Sequence, residues 1–160
     1  MGATKEEIMG IDSVKAQFQS KGWNLSIKQF EVSTATVGEA AEALGVEPGM
    51  IAKTMALRLP DRDIILVAKG DTRLDNKKCK AVFGSKARMI SLDEVEAVTG
   101  HPVGGVCPFG LIRPLAIYLD ESLKVYEVVY PAGGTANSAV RIAPEELGKI
   151  TGGEWVNVCQ

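Results

Sequence analysis

Met50-Ile51-Ala52-Lys53-Thr54-Met55-Ala56-Leu57-Arg58-Leu59-Pro60-Asp61-Arg62-Asp63-Ile64-Ile65-Leu66-Val67-Ala68 is the stretch that decides the fold class. Its first ten residues are mostly apolar, and its last five are wholly so. The four residues between them, Pro60-Asp61-Arg62-Asp63, carry turn chemistry. The pattern predicts a hairpin with strands over residues 50–59 and 64–68. An unbroken apolar run of five suits a strand covered on both faces, so a sheet is expected at the centre of the molecule.

Working outward, helical and extended patterns alternate. Val14 and Phe18 fall at helical spacing, and Gly22 follows as a stop, which predicts a helix over 11–21. Residues 25–32 read as a strand. Thr36-Val37-Gly38-Glu39 is a capping box that opens a helix ending at Leu44, with Gly45 as its C-cap. Glu47-Pro48-Gly49 is a turn. Residues 75–83 predict a short helix stopped by Gly84. Ser91-Leu92-Asp93-Glu94 reads as a second capping box, for a helix that stops at Gly100. Residues 101–114 are a Gly/Pro-rich loop. Strands are expected over 115–119, 125–129, 139–142 and 155–158. Pro144 marks the start of a last helix reaching about residue 150. Several strands interrupted by short helices make an α+β, or mixed α/β, fold, read as one domain over residues 1–160 with a flexible N-terminal segment of about ten residues.

The composition narrows the function. A net charge of −2 lacks the basic excess of a protein that grips a long nucleic-acid backbone such as DNA, so any RNA contact should be small and local. No apolar run is long enough to span a bilayer, and the first residues show no secretory pattern, so a cytoplasmic protein without membrane contact is expected. The three cysteines, Cys79, Cys107 and Cys159, form no CxxC pair, and His101 is the sole histidine. Neither metal-ligand spacing nor a cofactor motif is present.

Four places could carry chemistry. Lys53, between apolar neighbours, is either the solvent face of a strand or a cation projecting into a cleft. Gly70-Asp71-Thr72-Arg73-Leu74-Asp75 reads first as helix-capping chemistry, with Arg73 as an alternative phosphate partner. His101-Pro102-Val103-Gly104-Gly105-Val106-Cys107-Pro108-Phe109-Gly110 is either a tight connection or a stiff cradle of backbone N–H groups. Gly133-Gly134 reads as a simple turn. Cys107 as a thiol nucleophile would need His101 as its base, a pair without a third member. Cys79 and Cys159 read as small core residues. Lys77, Lys78, Lys80, Lys86 and Arg88 form a basic run, which is either a solvated helix face or an RNA contact.

Taken in order, Ala52-Lys53-Thr54, then residues 70–78, then Thr99-Gly100 with Gly104-Gly105-Val106-Cys107-Pro108-Phe109-Gly110, then Gly133-Gly134 with residues 139–147, resemble the YbaK family. That family holds the editing insertion of bacterial prolyl-tRNA synthetases and its freestanding, ProX-type relatives. The likeness covers residues from about 12 to 158. It implies a mixed sheet flanked by short helices, and an aminoacyl-tRNA deacylase working without metal or cofactor. The implied partners are the 3′ end of an aminoacyl-tRNA and a prolyl-tRNA synthetase. The resemblance assigns Lys53, Gly104, Gly105 and Cys107 to the catalytic centre. It assigns Thr54, Asp71, Arg73, Val106, Pro108, Phe109, Gly133 and Gly134 to substrate binding. Met55, Leu57, Phe109 and Ile112 are expected as pocket walls. The segment Thr135-Ala136-Asn137-Ser138-Ala139 lacks the basic pair that follows the glycines in some cysteinyl-tRNA(Pro) deacylases, so alanine, serine, threonine and cysteine all stay open as the amino acid removed. A non-catalytic module that binds tRNA ends or a synthetase is the competing reading.

Overall fold

The computed structural model describes residues 9–160; the segment expected to be flexible lies almost wholly outside the described residues. The hairpin forms as read. Strand β2 (Ala52–Arg58) pairs antiparallel with β3 (Asp63–Lys69), in register from Ala52 opposite Lys69 to Arg58 opposite Asp63. Ile64 to Ala68 are fully buried, as a central strand demands. On its far side β3 pairs parallel with β5 (Ala116–Asp120), which pairs parallel with β7 (Glu154–Val156). On the near side β2 pairs with a two-residue strand, β4 (Arg88–Met89), giving the order β4-β2-β3-β5-β7. A separate antiparallel pair joins β1 (Ile27–Gln29) to β6 (Ser138–Val140).

Side-chain alternation along β2 sorts the core into two layers. Ala52 and Ala56 join a cluster that includes Val14 and Phe18 of helix α1 (Gly10–Lys21), Val95 and Val98 of α4 (Leu92–Thr99), and Leu147 of α5 (Pro144–Thr151). Leu57, with Met55 against it, joins the other cluster, with Cys79 of α3 (Asn76–Phe83), Val158 and Cys159.

Helix ends follow the sequence where side chains reach the backbone. In α2 (Val37–Leu44) both halves of the capping box are made: Glu39 N–H donates to Thr36 Oγ1 at 3.1 Å, and Thr36 N–H to Glu39 Oε1 at 3.3 Å. Asp75 caps α3 by accepting from Lys78 N–H at 3.1 Å. The second expected box fails. Ser91 Oγ donates instead to Glu94 Oε2 at 2.8 Å, and that carboxylate also pairs with Arg58.

Two strands differ from expectation. The first is only three residues long: the ladder's next bond, Phe30 N–H to Asn137 carbonyl, still forms, but the Asn137 side-chain amide donates to Phe30 carbonyl at 2.9 Å in place of a backbone N–H, and Val32 faces water. The strand expected over 125–129 is absent. Asp120 accepts from Ser122 N–H at 3.0 Å and folds Glu121–Val125 into a 3-10 turn. Val129 and Tyr130 then make single bridges to Ile142 and Ile51.

Candidate functional site

A cavity of about 200 Å³ opens beside the start of β2. Its walls are segments distant in sequence: 34–37, 51–54, 130–132 and 138–139, with Met89, Leu92, Val103, Gly104 and Val106 closing it. Many of these side chains are small, among them Ala35, Ala52, Ala56, Ala132 and Ala139, so the walls approach closely.

Backbone geometry explains why the space exists. Ala52 N–H donates to Tyr130 carbonyl at 3.1 Å, and Ile90 N–H to Ala56 carbonyl at 3.0 Å. Both bonds lie on the side of β2 away from β3. Thr54, between them on the same side, has no strand neighbour among the described residues to take its N–H and carbonyl, so the sheet is open there. Thr54 also lines the cavity, on the face shared by Ala52 and Ala56. Its Oγ1 is buried and has no hydrogen-bond partner among the described residues. Three other hydroxyls of the wall are engaged: Ser138 Oγ accepts from Gly133 N–H at 3.0 Å and donates to Thr135 carbonyl, Thr34 Oγ1 donates to Ser138 carbonyl at 3.4 Å, and Thr36 Oγ1 caps α2.

The glycine loop meets the cavity through Gly104 and Val106. Gly105 N–H is spent on Pro102 carbonyl at 2.9 Å, closing a turn. Gly104 takes φ +89°, which suits glycine. The N–H groups of Gly104 and Val106 have no acceptor among the described residues. Gly105 is the contact that allows the loop this close: a Cβ there would lie 2.6 Å from Thr135 N.

Lys53 borders the cavity, but its Nζ donates to the carbonyl of Thr72, outside it. Burial depresses its pKa, opposed by the nearby Cys159 and Asp71, while Arg73 reinforces the depression. Asp71 and Arg73 are exposed and stand outside the cavity wall, with Asp71 Oδ1 3.4 Å from Lys69 Nζ. Of the basic run, Lys78 is committed to Cys159 carbonyl at 2.7 Å, while Lys77, Lys80, Lys86 and Arg88 are exposed.

The remainder of the expected set supports the wall from behind. Cys107 is fully buried and outside the cavity lining, and burial pushes its thiol up to about 12. His101 Nε2 lies 3.6 Å from Cys107 Sγ and 2.7 Å from Phe109 carbonyl oxygen. A carbonyl only accepts, so Nε2 carries a proton and cannot serve Cys107 as a base. Pro108, Phe109 and Ile112 line a different hollow, with Trp23 and Arg113. Met55 and Leu57 face the α3 layer. Gly133 and Gly134 seat neighbouring segments: a Cβ on Gly133 would meet Ile27 at 2.7 Å, and one on Gly134 would meet Gly10 C at 2.6 Å. Thus four expected residues, Lys53, Thr54, Gly104 and Val106, line one cavity, with the Lys53 ammonium turned out of it. Thr34, Ala35, Tyr130, Pro131 and Ser138 join them without any local motif to announce them.

Residues 31–150 match the family model described as "Aminoacyl-tRNA editing domain". The chain belongs to the aminoacyl-tRNA editing domain family. It is 44% identical over 154 residues to "Uncharacterized protein YwhH" of Bacillus subtilis (strain 168), covering 95% of this chain and 98% of that protein. It is 32% identical over 120 residues to "Putative Cys-tRNA(Pro)/Cys-tRNA(Cys) deacylase EbsC" of Enterococcus faecalis (strain ATCC 700802 / V583), covering 74% of this chain and 73% of the relative. A crystal structure described as "a putative trans-editing enzyme for prolyl tRNA synthetase" superposes with a TM-score of 0.86 at 33% identity, over 94% of this chain and 96% of the other. The mixed sheet and its flanking helices are therefore those of the editing-domain fold. Among the described residues, no helix of this family member is long and apolar enough to cross a membrane.

Proposed function

We propose that this chain is an aminoacyl-tRNA deacylase acting in trans, which hydrolyses the ester between a small amino acid and the 3′ end of a mischarged tRNA, with tRNA(Pro) as the first tRNA to test. The observation that supports this reading best is the small cavity lined by Thr54 and by the glycine loop at Gly104 and Val106, whose N–H groups have no acceptor among the described residues. An aminoacyl group offers that space a carbonyl oxygen and a short side chain.

In this scheme the N–H groups of Gly104 and Val106 hold the ester carbonyl oxygen. Water adds to the carbonyl carbon, and the negative charge that develops on the oxygen is stabilised by those two donors. The carbon–oxygen bond to the ribose then breaks, and the proton lost by water passes to the ribose oxygen. The ester is an activated bond, so positioning and charge stabilisation suffice without a protein nucleophile. Gly105 sets the loop's distance. Lys53 and Arg73, whose charges lie outside the cavity, supply positive charge toward the path of the terminal phosphodiester. Asp71 orients Lys69 beside them. Cys107, Pro108, Phe109, Gly133 and Gly134 hold the wall in place. A small cavity admits a small wrong amino acid and refuses a larger correct one on sterics, the logic of a second sieve.

The test is deacylation of alanyl-, cysteinyl-, seryl- and threonyl-tRNA(Pro), with alanyl-tRNA(Ala) as control, by wild type and Lys53→Ala. Release of one amino acid by wild type, strongly reduced in the variant, is expected. No release from any substrate by folded protein, with prolyl-tRNA synthetase present, would overturn the enzyme reading in favour of a binding module.

A further inference from the structure

Among the described residues, six large apolar side chains stand exposed, and three of them meet at one place. Met89 is 60% exposed, Leu92 71% and Val103 51%, yet all three line the cavity beside Thr54. Side chains that border a cavity while keeping half or more of their surface in water stand at its mouth. They come from three separate elements: β4, the first residue of α4, and the loop ahead of Gly104. A single exposed apolar residue needs no explanation, but three converging on one opening form a patch.

The substrate's own connectivity says what covers that patch. A cavity of about 200 Å³ falls below the roughly 300–1,000 Å³ that hold a drug-sized ligand, so it has room for a small aminoacyl group and not for a nucleoside as well. With the ester carbonyl at Gly104 and Val106, the ribose is one bond away, and its base must lie across the mouth. A base presents a flat, uncharged, polarisable face, which suits aliphatic side chains and a methionine sulfur. The mouth needs no positive charge for this, in keeping with the acidic net charge of the chain.

We propose that Met89, Leu92 and Val103 form the seat for the nucleobase of the terminal nucleoside that carries the aminoacyl ester. This rests on the reading of the cavity as an aminoacyl-ester site. It makes recognition of the acceptor end a matter of apolar contact with one base, tolerant of base identity, rather than of base-edge hydrogen bonding.

The experiment compares two esters of the amino acid that wild type releases: the 3′-aminoacyl adenosine and the base-free aminoacyl ester of ethylene glycol. The proteins are wild type and the triple variant Met89→Ser, Leu92→Ser, Val103→Ser, with thermal unfolding confirming that the variant folds. The triple variant is expected to raise KM for the adenosine ester about tenfold or more, the scale of losing the apolar contact of one or two covered side chains, while its kcat/KM on the base-free ester stays within about twofold of wild type. Equal loss on both esters would overturn the seat and make these residues part of the cavity's shape. So would unchanged kinetics on the adenosine ester. A defect that emerges only with tRNA and prolyl-tRNA synthetase present would assign the patch to a protein partner instead. Failure of wild type to cleave the adenosine ester while it still deacylates the tRNA would also overturn the seat, because the terminal nucleoside would then contribute no recognition of its own; failure on the tRNA panel itself is the separate signature that brings down the deacylase reading.

Discussion

The Nε2 atom of His101 lies 2.7 Å from the carbonyl oxygen of Phe109, and both residues are wholly buried. The bond ties the two ends of the glycine loop to each other. Burial depresses the imidazole pKa, and the bond to Phe109 only partly offsets that. The folded state therefore holds His101 neutral, while the unfolded chain takes up a proton below its ordinary value near 6.5. Between that value and the lower folded one, the unfolded state binds more protons, so stability rises with pH through this window. It is complete above about pH 6.5 and declines as pH falls through it. The thermal midpoint of wild type should therefore drop from pH 7.5 to pH 5 more steeply than that of His101→Asn, which keeps a donor for Phe109. Parallel curves would show that His101 does not titrate on unfolding.

Cys107 sits beneath the same loop, with its thiol pushed up to about 12 by burial. At neutral pH essentially none of it is thiolate, and no base is positioned to change that. Iodoacetamide should leave Cys107 unmodified in the native protein and label it after denaturation, as peptide mass spectrometry would read. Cys107→Ala should retain deacylation within a few-fold, and it should lose about 1 kcal/mol of stability, the usual cost of a small deletion in a packed core. Abolished activity in a variant that still unfolds cooperatively would return the thiol to the mechanism.

Thr54→Val keeps the shape of the side chain and removes its hydroxyl. Because Oγ1 is buried without a partner among the described residues, the replacement should leave the unliganded protein equally stable, or more stable by about 1 kcal/mol. The hydroxyl is sealed from the cavity, which Thr54 lines through its other atoms, so specificity should not change: kcat/KM for seryl- and alanyl-tRNA should each stay within about threefold of wild type. A fall of about tenfold or more confined to seryl-tRNA would show that the hydroxyl turns into the cavity and bonds the substrate.

Much of this architecture was legible because its determinants are local. The Thr36–Glu39 box, the turn at Pro60 and the apolar run from Ile64 to Ala68 each act over a few residues, and each formed as read. Ser91 misled because its hydroxyl had a better partner in the Glu94 carboxylate, which Arg58 of β2 also draws. The expected strand over 125–129 was lost to Asp120, whose side chain turned the chain after β5. The site was half legible. Lys53, Thr54, Gly104 and Val106 lie within motifs, and the structure brings them to one cavity. Cys107 and Phe109 share the motif but face the other way, because adjacent residues of a stiff loop diverge and sequence does not give their direction. Ala35, Tyr130 and Ser138 reach the cavity only by tertiary folding, which no spacing rule anticipates. Met55 and Leu57 were misplaced by strand parity: they lie one residue from Thr54 and Ala56, and so on the opposite face of the sheet.

Gly105 gives the sharpest separation of packing from chemistry. A Cβ added there would stand 2.6 Å from Thr135 N and 2.7 Å from Thr135 Cα, and these are backbone atoms that cannot swing aside. Gly105→Ala must push the loop away from the Gly134–Thr135 turn, an overpacking that costs about 1–3 kcal/mol. The neighbouring donors of Gly104 and Val106 would move with it, and misplacement by an ångström at a reacting centre costs about a hundredfold in rate. The variant should therefore lose both thermal stability and nearly all deacylation. Gly38→Ala is the matched control: nothing lies within 4 Å of its Cβ, and alanine in a helix is favoured over glycine by about 0.5–1 kcal/mol. It should be as active as wild type and unfold at the same temperature or higher. If Gly105→Ala kept full activity while losing stability, the loop's approach would matter to the fold alone, and the carbonyl oxygen would have to be held elsewhere.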